Sequence, residues 1–222
     1  MNDGKPIQIV VIPVTSFQQN TSLVWCTATR KGAFVDPGGE IPRLIAAAQA
    51  KGVTIEKIML THGHLDHAGA AADLAAHYGV PIEGPHKEEA WLLAGLGDQG
   101  ARYGLTDAKP CVPDRWLEDG DVVELGEARF DVHHCPGHTP GHVVFYEPTA
   151  RFAFVGDVLF KGSIGRTDFP RGDFDALVSS IRSKLFPLGD DVRFLPGHGD
   201  LSTFGWERKT NPFVSDFAVG TS

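Results

Sequence analysis

Runs of apolar residues separated by polar turns predict strands and helices along the opening of the chain. Three runs predict strands, over Ile7 to Pro13, Thr21 to Cys26, and Gly32 to Val35. A helix over RLIAAAQAK follows Pro42 and ends at Gly52. Proline is tolerated in the first turn of a helix, and glycine favours its end. The run from Lys57 to Leu60 predicts the next strand, which is mostly apolar and therefore buried.

The same order returns further along the chain. We predict helices at about 68–78, 86–96 and 174–185, and strands at 81–83, from 121, and at 130–133, 143–146, 152–155 and 192–195. Residues 97–113 mix glycine, proline and polar side chains, and we interpret them as a surface excursion rather than a domain linker. Strands followed by helices therefore occur twice, which is consistent with two mixed sheets packed face to face with helices outside.

The motif THGHLDH, directly after the strand at 57–60, brings four potential metal ligands together: His62, His64, Asp66 and His67. Imidazole nitrogen and carboxylate oxygen are the donors that zinc and iron prefer. Alternation in an extended segment puts His62 and His64 on one side of the chain, just before a predicted helix. An expression tag would be contiguous and terminal, and this motif is neither. The sequence therefore predicts a metal site.

Three more donors each follow a strand-like run: His138 in PGHTPGH, Asp157 in VGD and His198 in PGHG. The glycines beside them let the backbone turn sharply and bring the donors to a common centre. Seven donors exceed the four that one tetrahedral zinc needs. They suffice for two ions if one carboxylate, most plausibly Asp157, bridges them.

In this order, THGHLDH, GHTPGH, GD and PGHG resemble the ligand signature of the metallo-β-lactamase superfamily. VDPGG, CPGHTPGHVVFY and GDVLFKGSIGRTDFPRGD are similar to its glyoxalase II branch, in the short bacterial form without the helical C-terminal domain. The resemblance runs from about Ile7 to about Pro212. It implies an α/β (α+β) fold, a four-layer αββα sandwich, as one domain over residues 1–222 with a short tail from about residue 200.

The resemblance also implies how the seven donors are divided. One metal takes His62, His64 and His138, the other takes Asp66, His67 and His198, and Asp157 bridges them. The ions are two divalent metals, zinc first, with iron or manganese as alternatives. A hydroxide shared by both ions, held in line by Asp66, would attack an acyl-glutathione thioester such as S-lactoylglutathione, the reaction of methylglyoxal detoxification.

Two other functions stay open at the sequence level. A related branch uses the same histidines and a similar GRTDF stretch to oxygenate glutathione persulfide, with one iron held by two histidines and a carboxylate. A non-catalytic metal-binding module is the third alternative, disfavoured by the complete donor set. Because the chain stops soon after PGHG, we expect weaker glutathione binding or a different thioester.

Substrate contacts are predicted in GSIGRTDFPRGD, the loop after Asp157. Arg166 is the first candidate to hold a substrate carboxylate and Lys161 a weaker one; alternatively, Arg166 simply pairs with Asp168. Asp36 in VDPGG either shapes a turn or orients the metal loop.

The remaining histidines are left out of the ligand set. His77 and His86 are expected to be solvated or capping, one of His133 and His134 could point inward, and His142 could support the ligands. Cys135 is interpreted as a residue that packs in the core rather than as a metal ligand.

Composition limits the partners and the compartment. A net charge of −8 with scattered acidic residues lacks the basic footprint of a nucleic-acid-binding protein. No stretch approaches the roughly 20 apolar residues of a membrane span, and MNDGKPIQIVVIPV lacks the layout of a secretory signal. Three cysteines are too few for a disulfide framework, so we expect a reducing cytoplasm. The sequence leaves the oligomeric state open.

Overall fold

A computed structural model describes residues 5–220. The strands are β1 (Ile7–Val14), β2 (Gln19–Cys26), β3 (Lys31–Val35), β4 (Thr54–Met59), β5 (Ile82–Glu83), β6 (Val122–Leu125), β7 (Ala128–His134), β8 (Val143–Glu147), β9 (Phe152–Gly156), β10 (Leu159–Phe160), β11 (Ser163–Ile164), β12 (Arg193–Pro196) and β13 (Ser202–Thr203). The helices are α1 (Ile41–Lys51), α2 (Leu65–Ala68), α3 (Ala71–Tyr78), α4 (Ala90–Ala94), α5 (Leu96–Tyr103), α6 (Phe174–Ser180) and α7 (Phe204–Thr210). The start of the segment inspected for a secretory signal, residues 1–4, and the last two residues of the tail lie outside this range.

Two mixed sheets carry the fold. The first has the order β1-β2-β3-β4-β5, and the second has the order β13-β12-β9-β8-β7-β6. In the first sheet, β3, β4 and β5 are parallel. In the second, β9 and β12 are the parallel pair. Parallel strands end at the same edge of a sheet, so the loops that follow β3 and β4 are neighbours, as are those that follow β9 and β12.

Apolar side chains form three layers around these sheets. The first layer packs α1 and α3 on the first sheet and includes Phe34, Leu44 and Leu74. The second lies between the sheets and includes Val35, Met59, Phe130 and Phe145. The third packs α6 and α7 on the outer face of the second sheet and includes Val155, Leu177, Phe194 and Phe204. This is the predicted four-layer αββα arrangement, which is confirmed.

Strand alternation explains why both sheets have two apolar faces. In β3, Phe34 points to the helices while its neighbour Val35 points to the other sheet. In β8, Phe145 enters the middle layer and Val144 enters the outer one. Successive side chains of a strand point to opposite faces, so a strand covered on both sides must be apolar throughout. All five residues of β8 and of β9 are buried.

Several predicted elements differ in detail. Residues 97–113, for which no helix was predicted, begin within α5, which runs through Gly97 and Gly100. A Cβ at Gly100 would lie 2.4 Å from the carbonyl oxygen of Leu105, so this glycine marks a close backbone approach. The helix predicted at 68–78 is two helices that meet at Gly69 and Ala70. The helix predicted at 174–185 ends at Ser180 and continues as a π-helical turn.

The C-terminal segment is more regular than the predicted tail. Strand β13 pairs with β12, and α7 buries Phe204 in the outer layer. Trp206, Phe213 and Phe217, for which the sequence left packing on the sandwich or on a partner open, are exposed by 58%, 42% and 96%.

No helix within residues 5–220 is long and apolar enough to cross a membrane. Cys26, Cys111 and Cys135 are buried and free.

Removal of a large side chain from the middle layer tests the packing of the sheets. Phe145 is fully buried, so Phe145→Ala should lower the free energy of unfolding by about 3–5 kcal/mol. Phe217→Ala, at a highly exposed ring, is the matched control and should change it by less than about 0.5 kcal/mol. Urea unfolding followed by circular dichroism measures both. Equal effects of the two variants would contradict the described core.

Candidate metal centre

The end of β4 leads directly into the first group of polar side chains. His64 has an extended backbone and caps α2, whose first residues include Asp66 and His67. His62 and His67 are fully buried, although imidazole is polar. Buried polar side chains need partners. His64, Asp66 and His67 lie beside His138, His198 and Asp157, which follow strands of the second sheet.

Three of the seven predicted donors form a tight group of nitrogens. His64 Nδ1 lies 3.1 Å from His62 Nε2 and 3.0 Å from His138 Nε2. The ring of His138 is oriented from behind, because its Nδ1 donates a hydrogen bond to the carbonyl oxygen of Arg166 at 2.7 Å. The unprotonated Nε2 of His138 therefore faces the group.

A second group joins the sheets at a neighbouring point. His198 Nε2 lies 3.1 Å from Asp66 Oδ2, and His67 Nε2 lies 3.8 Å from the same oxygen. His198 Nδ1 donates to the carbonyl oxygen of Phe17 at 3.2 Å, which turns its Nε2 inward. In both groups the potential ligand atoms lie within 4.8 Å of one another.

Asp157 lies between the two groups. Its Oδ2 is 3.7 Å from His138 Nε2 and 3.8 Å from His198 Nε2, and its Oδ1 is 3.3 Å from His67 Nε2. The parallel register of β9 and β12, which pairs Gly156 with Pro196, brings Asp157 and His198 to one edge of the sheet. The structure thus brings together all seven predicted metal residues.

These residues fit divalent cations. His67 Nε2 and Asp157 Oδ1 are buried and make no hydrogen bond within the described part of the chain. Three imidazole nitrogens that face one another without shared protons repel, and a metal between them removes this repulsion. A tetrahedral zinc holds ring nitrogens about 3.3 Å apart, close to the spacing of the first group.

Burial sets the protonation of the first group. Burial lowers the pKa of His62 well below its ordinary value. Burial and the neighbouring His138 lower the pKa of His64 to about 3. Burial also lowers the pKa of His138, although the carboxylate of Asp157 opposes the change. All three rings are therefore neutral near pH 7, which is the form that binds a metal.

Carboxylates have the opposite effect on the second group. Burial disfavours a charged His67, but Asp157 and Asp66 outweigh it and raise the pKa of His67 well above its ordinary value. Burial disfavours the ionised form of Asp157, but the neighbouring His67 favours it more strongly. The pKa of Asp157 is therefore lowered. Without a cation, the protons of His67 and His198 balance these carboxylates; a divalent ion replaces the protons when it binds.

Asp36 orients the metal loop, as one of the two sequence interpretations expected. Its carboxylate accepts hydrogen bonds from the backbone N–H of Thr61 at 2.7 Å and from the Thr61 hydroxyl at 2.6 Å. It also accepts one from His67 Nδ1 at 3.0 Å. The other interpretation holds as well, since Asp36 has a φ of 51° and turns the chain after β3. Sequence reasoning overlooked Thr61, whose place at the head of the motif was its only signal.

The other histidines do not reach the two groups, except for His142. Its Nε2 accepts the backbone N–H of Asp157 at 3.0 Å, and its ring stacks on His62. His142 therefore supports the bridging residue. His77 is exposed, whereas His86 is buried and caps the short 3-10 helix that starts at Lys87. Cys135 is fully buried among apolar side chains.

The two predicted substrate residues lie at the surface and are paired with acids. Arg166 forms a two-point pair with Asp168, and its guanidinium lies 4.6 Å from the centroid of the Phe169 ring. That ring contacts His64 and His138, so Arg166 is one side chain away from the first group. Lys161 pairs with Asp200 at 3.2 Å. The Arg166–Asp168 pair weighed in the sequence is present, and the arginine also lies at the mouth of the site.

Comparison with known proteins agrees with this geometry. The family model described as the metallo-β-lactamase superfamily matches residues 14–198. The chain belongs to the metallo-β-lactamase superfamily. It is 47% identical over 210 residues to the hydroxyacylglutathione hydrolase GloC of Haemophilus influenzae, an alignment that covers 94% of this chain and 99% of that protein. The superfamily predicted from the motifs is confirmed, and this relative supports the glyoxalase II branch.

Solved structures of the superfamily superpose on nearly the whole chain. The BLEG-1 B3 metallo-β-lactamase gives a TM-score of 0.85 at 34% identity, covering 93% of this chain and 99% of that one. The TTHA1623 protein in a di-iron-bound form gives 0.82 at 38% identity, covering 92% and 99%. The metallo-β-lactamase fold and the clustered histidines and aspartates of this chain indicate a site for divalent metals.

Substitution of the central carboxylate tests the shared role of Asp157. Because its oxygens lie close to donors of both groups, Asp157→Ala should remove at least one equivalent of bound metal per chain, and thioester cleavage with it. Metal content by mass spectrometry and turnover on the same sample measure this. Asp191→Ala, at an exposed carboxylate paired with Arg151, is the control. A variant that keeps two ions and near-normal turnover would contradict a shared Asp157.

Proposed function

We propose that this protein is a dinuclear metal-dependent hydrolase of acyl-glutathione thioesters. Its similarity to the Haemophilus influenzae hydroxyacylglutathione hydrolase, across almost the full length of both chains, carries the proposal of substrate class. Two groups of ligand atoms with Asp157 between them support the proposal of two ions. His62, His64 and His138 would hold one ion, Asp66, His67 and His198 the other, and Asp157 both.

The chemistry needs a polarised carbonyl and an activated water. Bound divalent ions supply both, as Lewis acids that lower the pKa of water towards neutrality. Zinc is our first choice because the donors are mainly neutral imidazoles, and iron is the alternative, as in the di-iron form of TTHA1623. Within the chain, Asp66 has a partly exposed carboxylate beside His198, and we assign it to orient the attacking water.

A thioester suits the acid–base groups of this site. A thiol has a pKa of about 8.5, so it departs as an anion without a dedicated proton donor. In our assignment the imidazoles and carboxylates of the two groups serve as metal ligands rather than as donors of a proton to a leaving amine. An amide substrate such as a β-lactam would need that proton, which favours the thioester.

Aromatic side chains surround the mouth of the centre. Phe169 covers His64 and His138, and Phe160 lies 6.4 Å from His198 between ring centroids. Phe17 and Tyr103, both exposed, contact each other edge to face at 5.9 Å. We assign these rings to exclude water from the acyl group, and Arg166 beside them to bind a carboxylate of the thiol portion.

Three unpaired cysteines agree with a reducing cytoplasm as the compartment.

The reaction class can be separated from its alternative by oxygen dependence. We expect S-lactoylglutathione cleavage to proceed unchanged without oxygen, because hydrolysis consumes only water, and we expect glutathione persulfide to drive little oxygen uptake. Thiol release measured under argon and in air, with an oxygen electrode and metal analysis alongside, tests this. Rapid oxygen consumption by a protein with one iron per chain would establish a persulfide dioxygenase instead. Preferential cleavage of a β-lactam would align the chain with BLEG-1.

Arg166→Ala tests the proposed substrate contact. A charge-assisted hydrogen bond contributes about 1.5–3 kcal/mol. In the free protein Arg166 already pairs with Asp168, so substrate binding replaces one carboxylate by another and gains only part of this free energy. Loss of the arginine should therefore raise KM about tenfold. Turnover and metal content should stay unchanged, because His138 is held by the backbone oxygen of residue 166 rather than by its side chain.

Arg171→Ala removes an exposed cation from the same loop and is the matched control. The effect of Arg166→Ala should shrink for a thioester whose thiol lacks carboxylates. An equal loss on both thioesters, or loss of metal, would show that Arg166 braces the loop and does not bind substrate.

A further inference from the structure

Glu89 is a buried carboxylate that none of the proposed ligands or substrate contacts includes. It lies at the junction of a short 3-10 helix, Lys87–Glu89, and α4, and its side chain is fully buried. Within residues 5–220 no lysine, arginine or histidine lies within 4.0 Å of its carboxylate. A buried charge without a counter-ion is costly, so its partners need an explanation.

Two backbone amides of the metal loops donate hydrogen bonds to this carboxylate. Glu89 Oε2 accepts the N–H of Gly63 at 2.8 Å, and Oε1 accepts the N–H of Gly141 at 2.7 Å. Gly63 stands between the ligands His62 and His64, whereas Gly141 belongs to the loop that carries His138. One carboxylate therefore connects the two loops that supply the whole first group, and within the described residues it accepts no hydrogen bond from a ligand of the second group.

The two glycines admit this contact. A Cβ at Gly63 would lie 2.8 Å from Leu92 Cβ and 3.2 Å from Glu89 Oε2. A Cβ at Gly141 would lie 2.7 Å from Glu89 Cγ. A side chain at either position would displace Glu89, so the glycines next to the ligands serve this approach as well as the turns. The backbone N–H of His86, which donates to the carbonyl oxygen of Gly141 at 3.1 Å, holds the segment in register.

We propose that Glu89 is the positioning residue of the His62–His64–His138 metal site. Its two hydrogen bonds hold the loops at the spacing that brings the three nitrogens together. Among the described residues no side-chain cation lies within 4.0 Å of its carboxylate, and a cation held by the three imidazoles would favour the ionised form. The inference rests on the proposed metal centre, but not on the identity of the substrate. Loss of Glu89 should therefore weaken one ion of the pair and spare the other.

Glu89→Gln is the decisive variant, because glutamine keeps the shape but offers one acceptor oxygen in place of two and no charge. Zinc binding to the apoprotein is titrated against a chromophoric chelator, with no thioester present. We expect one zinc equivalent to weaken about ten- to a hundredfold, the usual effect of losing an outer hydrogen-bond partner of a metal site. The other equivalent should change by less than about threefold. His64→Ala identifies which equivalent belongs to the first group.

Glu147→Gln is the matched control. Glu147 is also a buried carboxylate that accepts a backbone N–H, from Ala150, but it lies at the β8–β9 turn away from the metal loops. It should leave both zinc equivalents unchanged. If Glu89→Gln weakens both equivalents alike, or neither, the proposal is wrong.

Amide hydrogen exchange of the apoprotein gives an independent readout. Glu89→Gln should speed exchange in residues 61–65 and 137–143 and leave 195–199 unchanged, since only the first two segments meet Glu89. Uniform faster exchange would mean general destabilisation and would overturn the proposal. A wild-type protein that binds a single zinc would refute the dinuclear centre; the proposal for Glu89 would then stand if Glu89→Gln weakens that zinc about tenfold or more, and would be wrong if it does not.

Discussion

The mutual repulsion of buried donors that converge on one point is the constraint on which this structure depends. Imidazole nitrogens of His62, His64 and His138 meet at 3.0–3.1 Å with no proton shared between them. The carboxylate of Asp157 is buried beside them with one oxygen unpartnered. Such an arrangement is unfavourable as bare protein and becomes favourable with cations in place. The surrounding hydrogen bonds and close contacts hold these groups together against their mutual repulsion.

That network is built from backbone groups at strand ends. Register between parallel strands places Asp36 beside Thr61 and Asp157 beside the His198 loop. Close approach also demands glycine: a Cβ at Gly197 would lie 2.2 Å from Asp157 Oδ1. The ligand histidines His62, His67, His138 and His198 direct their outer nitrogens to fixed oxygens, which belong to Thr61, Asp36, Arg166 and Phe17 respectively. The ligands are thus aimed by the fold rather than by one another.

Local patterns in the sequence predicted most of the strands and the proximity of the seven metal residues, because strand alternation and glycine-flanked donors are encoded within a few neighbouring residues. The four-layer arrangement was implied by the resemblance to the superfamily. Helix α5 was missed since Gly97 and Gly100 suggested a loop, whereas Gly100 serves a contact with Leu105.

Glu89 was also missed. It is separated by 26 and 52 residues from the amides that it accepts, and nothing near it in sequence marks that role. The exposed pair of Arg166 with Asp168 was visible from their spacing, but their position beside Phe169 was not.

The division of ligands between the sheets has a consequence for the cohesion of the protein. His62, His64, Asp66 and His67 follow β4 of the first sheet, while His138, Asp157 and His198 follow β7, β9 and β12 of the second. Each proposed ion would therefore draw ligands from both halves of the sandwich. A cation in such a position cross-links the two halves. Its binding free energy adds to the free energy of unfolding, and this contribution is lost when the ion dissociates. The free energy of unfolding of this chain then depends partly on the concentration of free metal ion.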